Sequence, residues 1–115
     1  MKDEDTLWAM EERFWTEGAA SARSMTAKDA VFVFPYPVGI LRGESVWREG
    51  QVAQRWRSVV FSERCLVREK TMAVLAYRVS AERDDTPIYE ALCTSSYLDD
   101  AGTWLRLVHQ QTPSP

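Results

Sequence analysis

Apolar residues recur at Leu7, Trp8, Met10, Phe14 and Trp15, a spacing that predicts one amphipathic helix near the amino terminus. Asp3 or Asp5 can cap it, and the acidic first turn suits the positive end of a helix dipole. Gly18 breaks or bends this helix, and Ala19 to Met25 predicts a short second helical piece. The β-branched and aromatic run Ala30-Val31-Phe32-Val33-Phe34 predicts a strand, closed by Pro35-Tyr36-Pro37 as a constrained loop. Gly39 to Gly43 turns back through a short strand. Glu44 to Arg55, carrying Val46, Trp47 and Val52, predicts a further helix.

The rest of the chain alternates as strands do. Segments Ser58 to Arg68, Thr71 to Glu82, Ile88 to Leu98 and Thr103 to Gln111 are separated by Arg68-Glu69-Lys70, Asp84-Asp85-Thr86-Pro87 and Asp99-Asp100-Ala101-Gly102, which have turn chemistry. Helices, a strand, a helix and then an antiparallel meander make an α+β plan in one domain, 1–115. Turns centred on Asp85-Thr86 and Asp100-Ala101 set a register, because a slip of one residue inverts every side chain. That register places Tyr77 opposite Thr94, Val79 opposite Leu92, Leu107 opposite Thr94 and His109 opposite Leu92. One face then carries Tyr77, Leu92 and Leu107, with Glu90, His109 and Gln111 as a polar cluster at one end. The other carries Tyr89, Tyr97, Trp104 and Val108, an aromatic face suited to a homodimer interface.

Composition narrows the function classes. The chain has 115 residues, 45% of them hydrophobic and 11% aromatic, enough for a core without staples. A net charge of −3 argues against nucleic acid as a partner. No apolar run is long enough to predict a membrane span. The start, Met1-Lys2-Asp3-Glu4-Asp5, is acidic where a leader would be basic, so a cytoplasmic location is expected. Two cysteines and one histidine suit neither a disulfide framework nor a metal centre. Cys65 and Cys93, separated by one intervening strand in the meander, would lie roughly 10 Å from each other, so buried, reduced thiols are expected. No phosphate loop or nucleophile elbow is present, and no cofactor is expected.

The amino-terminal Trp/Phe helix, the run Asp29 to Pro35, Gly39-x-x-x-Gly43 before a helix, and the closing Gly102-x-Trp104-x-x-x-x-His109 together resemble the nuclear transport factor 2-like superfamily, closest to its SnoaL-like proteins and a bacterial branch of unknown function. The resemblance covers nearly the whole chain and implies a cone-shaped fold, with amino-terminal helices packed on a curved, mainly antiparallel sheet. The superfold hosts isomerases, cyclases, dehydratases and non-catalytic binders, so it does not choose among them. Within the superfamily, ketosteroid isomerases place an aspartate base just before Pro-Val-Gly. Here Tyr36 precedes Pro37-Val38-Gly39, and a tyrosine, with an ordinary pKa of about 10, is a poor base at neutral pH.

Two functions stay open on the sequence. In one, a dimeric pocket protein binds a small apolar or aromatic ligand and performs cofactor-free acid/base chemistry through His109 and Glu90. Phe34, Tyr36, Trp47, Trp56, Tyr77, Leu92, Leu107 and Gln111 would line that pocket. In the other, the cone is filled by side chains and the chain is a binding or assembly module. For each residue a structural role competes: His109 as a bonded strand-end histidine, Glu90 as a solvated rim carboxylate, and the tryptophans as helix-to-sheet packing.

Overall fold

The computed structural model describes residues 2–48 and 55–114. Helix α1 spans Lys2–Thr16 and α2 Ala19–Ser24; Gly18, at φ 87°, separates them. A Cβ on Gly18 would also meet the Arg55 side chain at 3.0 Å, so both conformation and space select glycine there. Strands β1 (Thr26–Phe34) and β2 (Gly39–Arg42) follow, then a turn of helix, α3 (Ser45–Arg48). The remainder of the helix expected over Glu44 to Arg55, through Val52, lies outside the described residues except for Arg55 itself. The meander is β3 (Ser58–Glu69), β4 (Met72–Glu82), β5 (Tyr89–Asp100) and β6 (Thr103–Pro113).

These strands form one curved six-stranded sheet, ordered β2-β1-β6-β5-β4-β3. Every neighbour pair is antiparallel except β1 with β6. Helix α1 covers the inner face. Leu7, Phe14 and Trp15 are buried there against Phe32, Leu75, Tyr77, Val79 and Tyr97. No helix among the described residues is long and apolar enough to cross a membrane.

The expected strand register is corrected at both hairpins. Tyr77 lies opposite Cys93 and Val79 opposite Ala91, because the β4–β5 loop centres on Asp85 alone, held at φ 61°. The β5–β6 turn is Ala101-Gly102, with φ 53° and 92°, the geometry whose twist matches that of flanking strands. A bulge then places one more residue, Leu107, in β6 between the pairs Tyr97–Arg106 and Ser96–Val108, so His109 lies opposite Ser95 and not Leu92.

Every face assignment on β5 therefore inverts. Ala91, Cys93, Ser95 and Tyr97 point inward and are buried, whereas Glu90 and Leu92 are exposed on the opposite face. Leu107 sits half-buried at the bulge. Tyr97 and Trp104, expected on an outer aromatic face, are buried in the core with Leu7, Ala73 and Leu75. Tyr89, also expected there, packs half-buried against the main core, and of that set only Val108 lies in the outward row, paired with Ser96 and Val31. Cys93 is buried as expected, but Cys65 is exposed; both are free.

Candidate functional site

Glu11 is the centre of the inner face. It follows Leu7 by four residues and precedes Phe14 by three, so α1 turns it into its own apolar stripe. The carboxylate is completely buried, and an unpaired charge there would be prohibitive. The sheet supplies the partners. Its Oε1 accepts from the Tyr97 hydroxyl at 2.5 Å and from Arg106 Nη2 at 3.0 Å. Its Oε2 accepts from the Tyr77 hydroxyl at 2.5 Å and, through a very short contact, from Ser95 Oγ. His109 Nδ1 lies 3.6 Å from the same oxygen.

Arg106 is equally buried. It also donates to the Tyr97 oxygen and, at 3.3 Å, to Thr26 Oγ1, while its guanidinium lies 4.3 Å from the centre of the Phe14 ring. Its Nε is buried with no hydrogen-bond partner among the described residues. The bulge at Leu107 makes this cluster possible. In a regular strand, positions 106 and 109 differ by an odd number and face opposite ways; the extra residue turns both inward.

Burial by itself would raise the Glu11 carboxyl pKa, but Arg106, His109 and Ser95 outweigh it and hold the group well below the usual carboxylate range. Burial pushes His109 down, against the pull of Glu11 and with the help of Arg106, so the ring is neutral. Tyr77 and Tyr97 are raised, first by burial and also by Glu11, and stay protonated.

These charges assign the protons. An ionised Glu11 only accepts, and Trp15 Nε1 and Arg106 only donate, so each tyrosine gives its proton to Glu11 while accepting from Trp15 (3.0 Å, to Tyr77) or Arg106 (to Tyr97). Ser95 spends its proton on Glu11 and must accept from His109 Nδ1–H at 2.7 Å. His109 Nε2 is then an acceptor and takes an amide proton from Gln111 at 3.1 Å. Gln111 Oε1 in turn accepts from the Tyr89 hydroxyl at 2.9 Å.

The far end of this chain opens on a cleft of about 370 Å³ at the cone mouth. Phe34, Pro35, Pro37 and Val38 give it apolar lining, with the cis Tyr36–Pro37 peptide at its edge. The remaining lining is Trp56, Arg83, Tyr89 and Gln111. Trp56 stacks on Tyr89 with ring centres 5.6 Å apart and planes at 20°, and the Arg83 guanidinium lies 4.3 Å from the Trp56 ring centre. Burial pushes the Tyr89 hydroxyl up to about 12, with a smaller contribution from Cys93.

Of the residues predicted from sequence, the cleft gathers Phe34, Tyr36, Trp56 and Gln111, and His109 stands next to it through Gln111. Glu90 does not join His109, since one is exposed and the other has no exposed surface. Tyr77 belongs to the buried network, Trp47 packs edge-on against Phe32, and Leu92 and Leu107 lie away from the cleft. The sequence reading missed Glu11, Ser95 and Arg106 as network residues, and Arg83 and Tyr89 as cleft residues. Glu11 left a signal, a carboxylate inside an apolar helical stripe; Ser95 and Arg106 left none once the register was misplaced.

No protein-family model matches this chain, and no curated protein sequence does either. Solved structures do match along most of its length. A protein from Parabacteroides distasonis, provisionally assigned as a ketosteroid isomerase, superposes with a TM-score of 0.82 at 12% identity, over 94% of this chain and 85% of its own. A nuclear transport factor 2-like protein from Cytophaga hutchinsonii gives 0.77 at 15% identity, over 99% and 100%. A provisionally assigned calcium/calmodulin-dependent kinase II association domain from Exiguobacterium sibiricum gives 0.75 at 16%, over 96% and 90%. The chain has the nuclear transport factor 2-like fold.

Proposed function

We propose that this chain binds a small, mainly apolar molecule in the cleft at the cone mouth. The observation that carries the reading is the composition of the cleft: Phe34, Pro35 and Val38 offer apolar surface, and Arg83, Tyr89 and Gln111 converge as orienting polar groups. Binding is favoured over acid/base turnover because His109 is sealed from solvent and its Nδ1 proton is committed to Ser95. The neighbour assigned as a ketosteroid isomerase shares the fold alone, and Tyr36, not an aspartate, precedes Pro37-Val38-Gly39 in the sequence pattern that resembles such isomerases.

The test is a thermal-shift screen of small aromatic and carboxylate compounds against the native protein and Val38→Trp, which fills the cleft. A compound at about a hundred times its dissociation constant should stabilise the native protein by ~2.7 kcal/mol and leave Val38→Trp unmoved. Compounds that stabilise both proteins equally, or none at all, would sink the reading.

A second reading, assembly, rests on the outer face of the sheet, which no element among the described residues covers. Val67 pairs with Val74, Val74 with Ser96 and Ser96 with Val108, and Val67, Val74 and Leu92 are exposed. The neighbour named as an association domain makes self-association through this face a reasonable companion function. Sedimentation should show a dimer that Val74→Glu converts to monomer. A monomeric native protein, or a dimer indifferent to Val74→Glu, removes the face as an interface.

A further inference from the structure

The proton assignments in the buried network extend to the surface of the cleft and restrict what it can accept. Tyr89 has one proton, and it goes to Gln111 Oε1. Its oxygen therefore offers only lone pairs to the cleft. Gln111 has two amide protons, and one goes to His109 Nε2, which leaves one N–H on a residue that lines the cleft. The amide cannot turn round without setting its carbonyl oxygen against the His109 lone pair. The Ser95 hydroxyl blocks the other route, because it has no proton left to give His109 Nδ1. Arg83, held on Trp56, adds a cation to the same lining.

The cleft thus presents a cation and an N–H donor together with a phenolic oxygen that can only accept, all in a contiguous row from Arg83 through Trp56 and Tyr89 to Gln111. Resting on the pocket reading above, we infer that the cleft selects small hydroxylated carboxylic acids: the carboxylate meets Arg83 and the Gln111 N–H, and the hydroxyl donates to the Tyr89 oxygen. His109 is a positioning residue in this scheme. It does not itself line the cleft but holds the Gln111 amide in the one orientation that makes Tyr89 an acceptor.

The experiment is calorimetric titration with the three hydroxyphenylacetate isomers, their methoxy counterparts and their methyl esters. At least one hydroxyphenylacetate should bind the native protein about tenfold more tightly than its methoxy counterpart, and the methyl ester should bind more weakly still. Tyr89→Phe should bring the hydroxy-to-methoxy ratio close to one while the carboxylate preference persists. His109→Phe, which cannot accept from Gln111, should lower the same ratio. General loosening of the fold would weaken all probes together and leave the ratio unchanged.

Equal affinities for hydroxy and methoxy acids in the native protein, or esters binding as well as acids, overturn the assigned class yet leave a working pocket. Probes that bind Val38→Trp as well as the native protein, or that do not bind at all, overturn the pocket and the class together. If His109→Phe does not fold, Tyr89→Phe decides the case alone, since Tyr89 is only half-buried at the rim of the core.

Discussion

A Glu11→Gln variant is expected to lose about 3–5 kcal/mol of folding stability. The substitution alters little volume, so the loss would come from electrostatics and hydrogen bonding. Arg106 would remain at 0% exposure with no countercharge. One of the two Glu11 oxygens would become an N–H₂, facing either Tyr97 and Arg106 or Tyr77 and Ser95, all of which donate to Glu11 at present. Whichever way the amide turns, buried donors confront each other, and leaving such groups unsatisfied costs about 1–3 kcal/mol for each.

Urea denaturation of the native and variant proteins measures the change directly. The double replacement Glu11→Leu with Arg106→Leu should recover only the part of the Glu11→Leu loss that comes from the uncompensated Arg106 charge, because the Tyr77, Tyr97 and Ser95 hydroxyls still lack their acceptor. A double-mutant cycle isolates the coupling. A Glu11→Gln loss under about 1 kcal/mol would mean that Glu11 is not the ionised centre of the network.

Acidification is expected to lower the folding stability over two successive pH ranges, and the first belongs to His109. Its folded pKa lies below the ordinary 6.5. Above pH 6.5 neither folded nor unfolded chain binds this proton, and stability is complete. As the pH falls below 6.5 the unfolded chain takes up a proton that the buried ring refuses, so stability declines until the folded value is reached. Glu11 adds the second stage. Its folded pKa is held below the ordinary 4.5, so its contribution is present above 4.5 and is lost as the pH falls further.

The chain has a single histidine, which makes the assignment clean. His109→Gln should be less stable than the native protein at pH 7.5 yet show a flatter stability profile between pH 6.5 and 5. Melting temperatures at half-unit pH intervals provide the comparison. Parallel profiles for the two proteins over that interval would show that His109 is not buried as a neutral base.

Much of the fold is legible in the amino-acid order. The stripe of Leu7, Phe14 and Trp15, the break at Gly18, the aromatic β-run ending at Phe34 and the four alternating segments are local signals, and each appears as an element within a few residues of its expected bounds. The ending Gly102-x-Trp104-x-x-x-x-His109 was sufficient, with these, to indicate the superfamily fold. The site was less accessible. Phe34, Tyr36, Trp56 and Gln111 could be named as candidates from their side-chain chemistry, aromatic walls and a hydroxyl near the constrained loop and a polar group at the end of the last strand. Their polar companions Arg83 and Tyr89 sit beside a loop whose centre shifted by half a residue, and so fell on the wrong side of the inference.

What the sequence determined by itself was therefore the set of elements, their order and the side-chain period along each one, since helix and strand periodicity depend on residues close together in the chain. Tertiary structure alone decided which half of each period faces inward on β5 and β6. A period of two carries no origin: the left-handed conformation at Asp85, the Ala101-Gly102 turn and the extra residue at Leu107 supply it. The same holds for the network. A carboxylate in the stripe of α1 announces an anomaly, but its resolution by Arg106, ninety-five positions away, required the helix to be laid on the sheet before either charge could be buried.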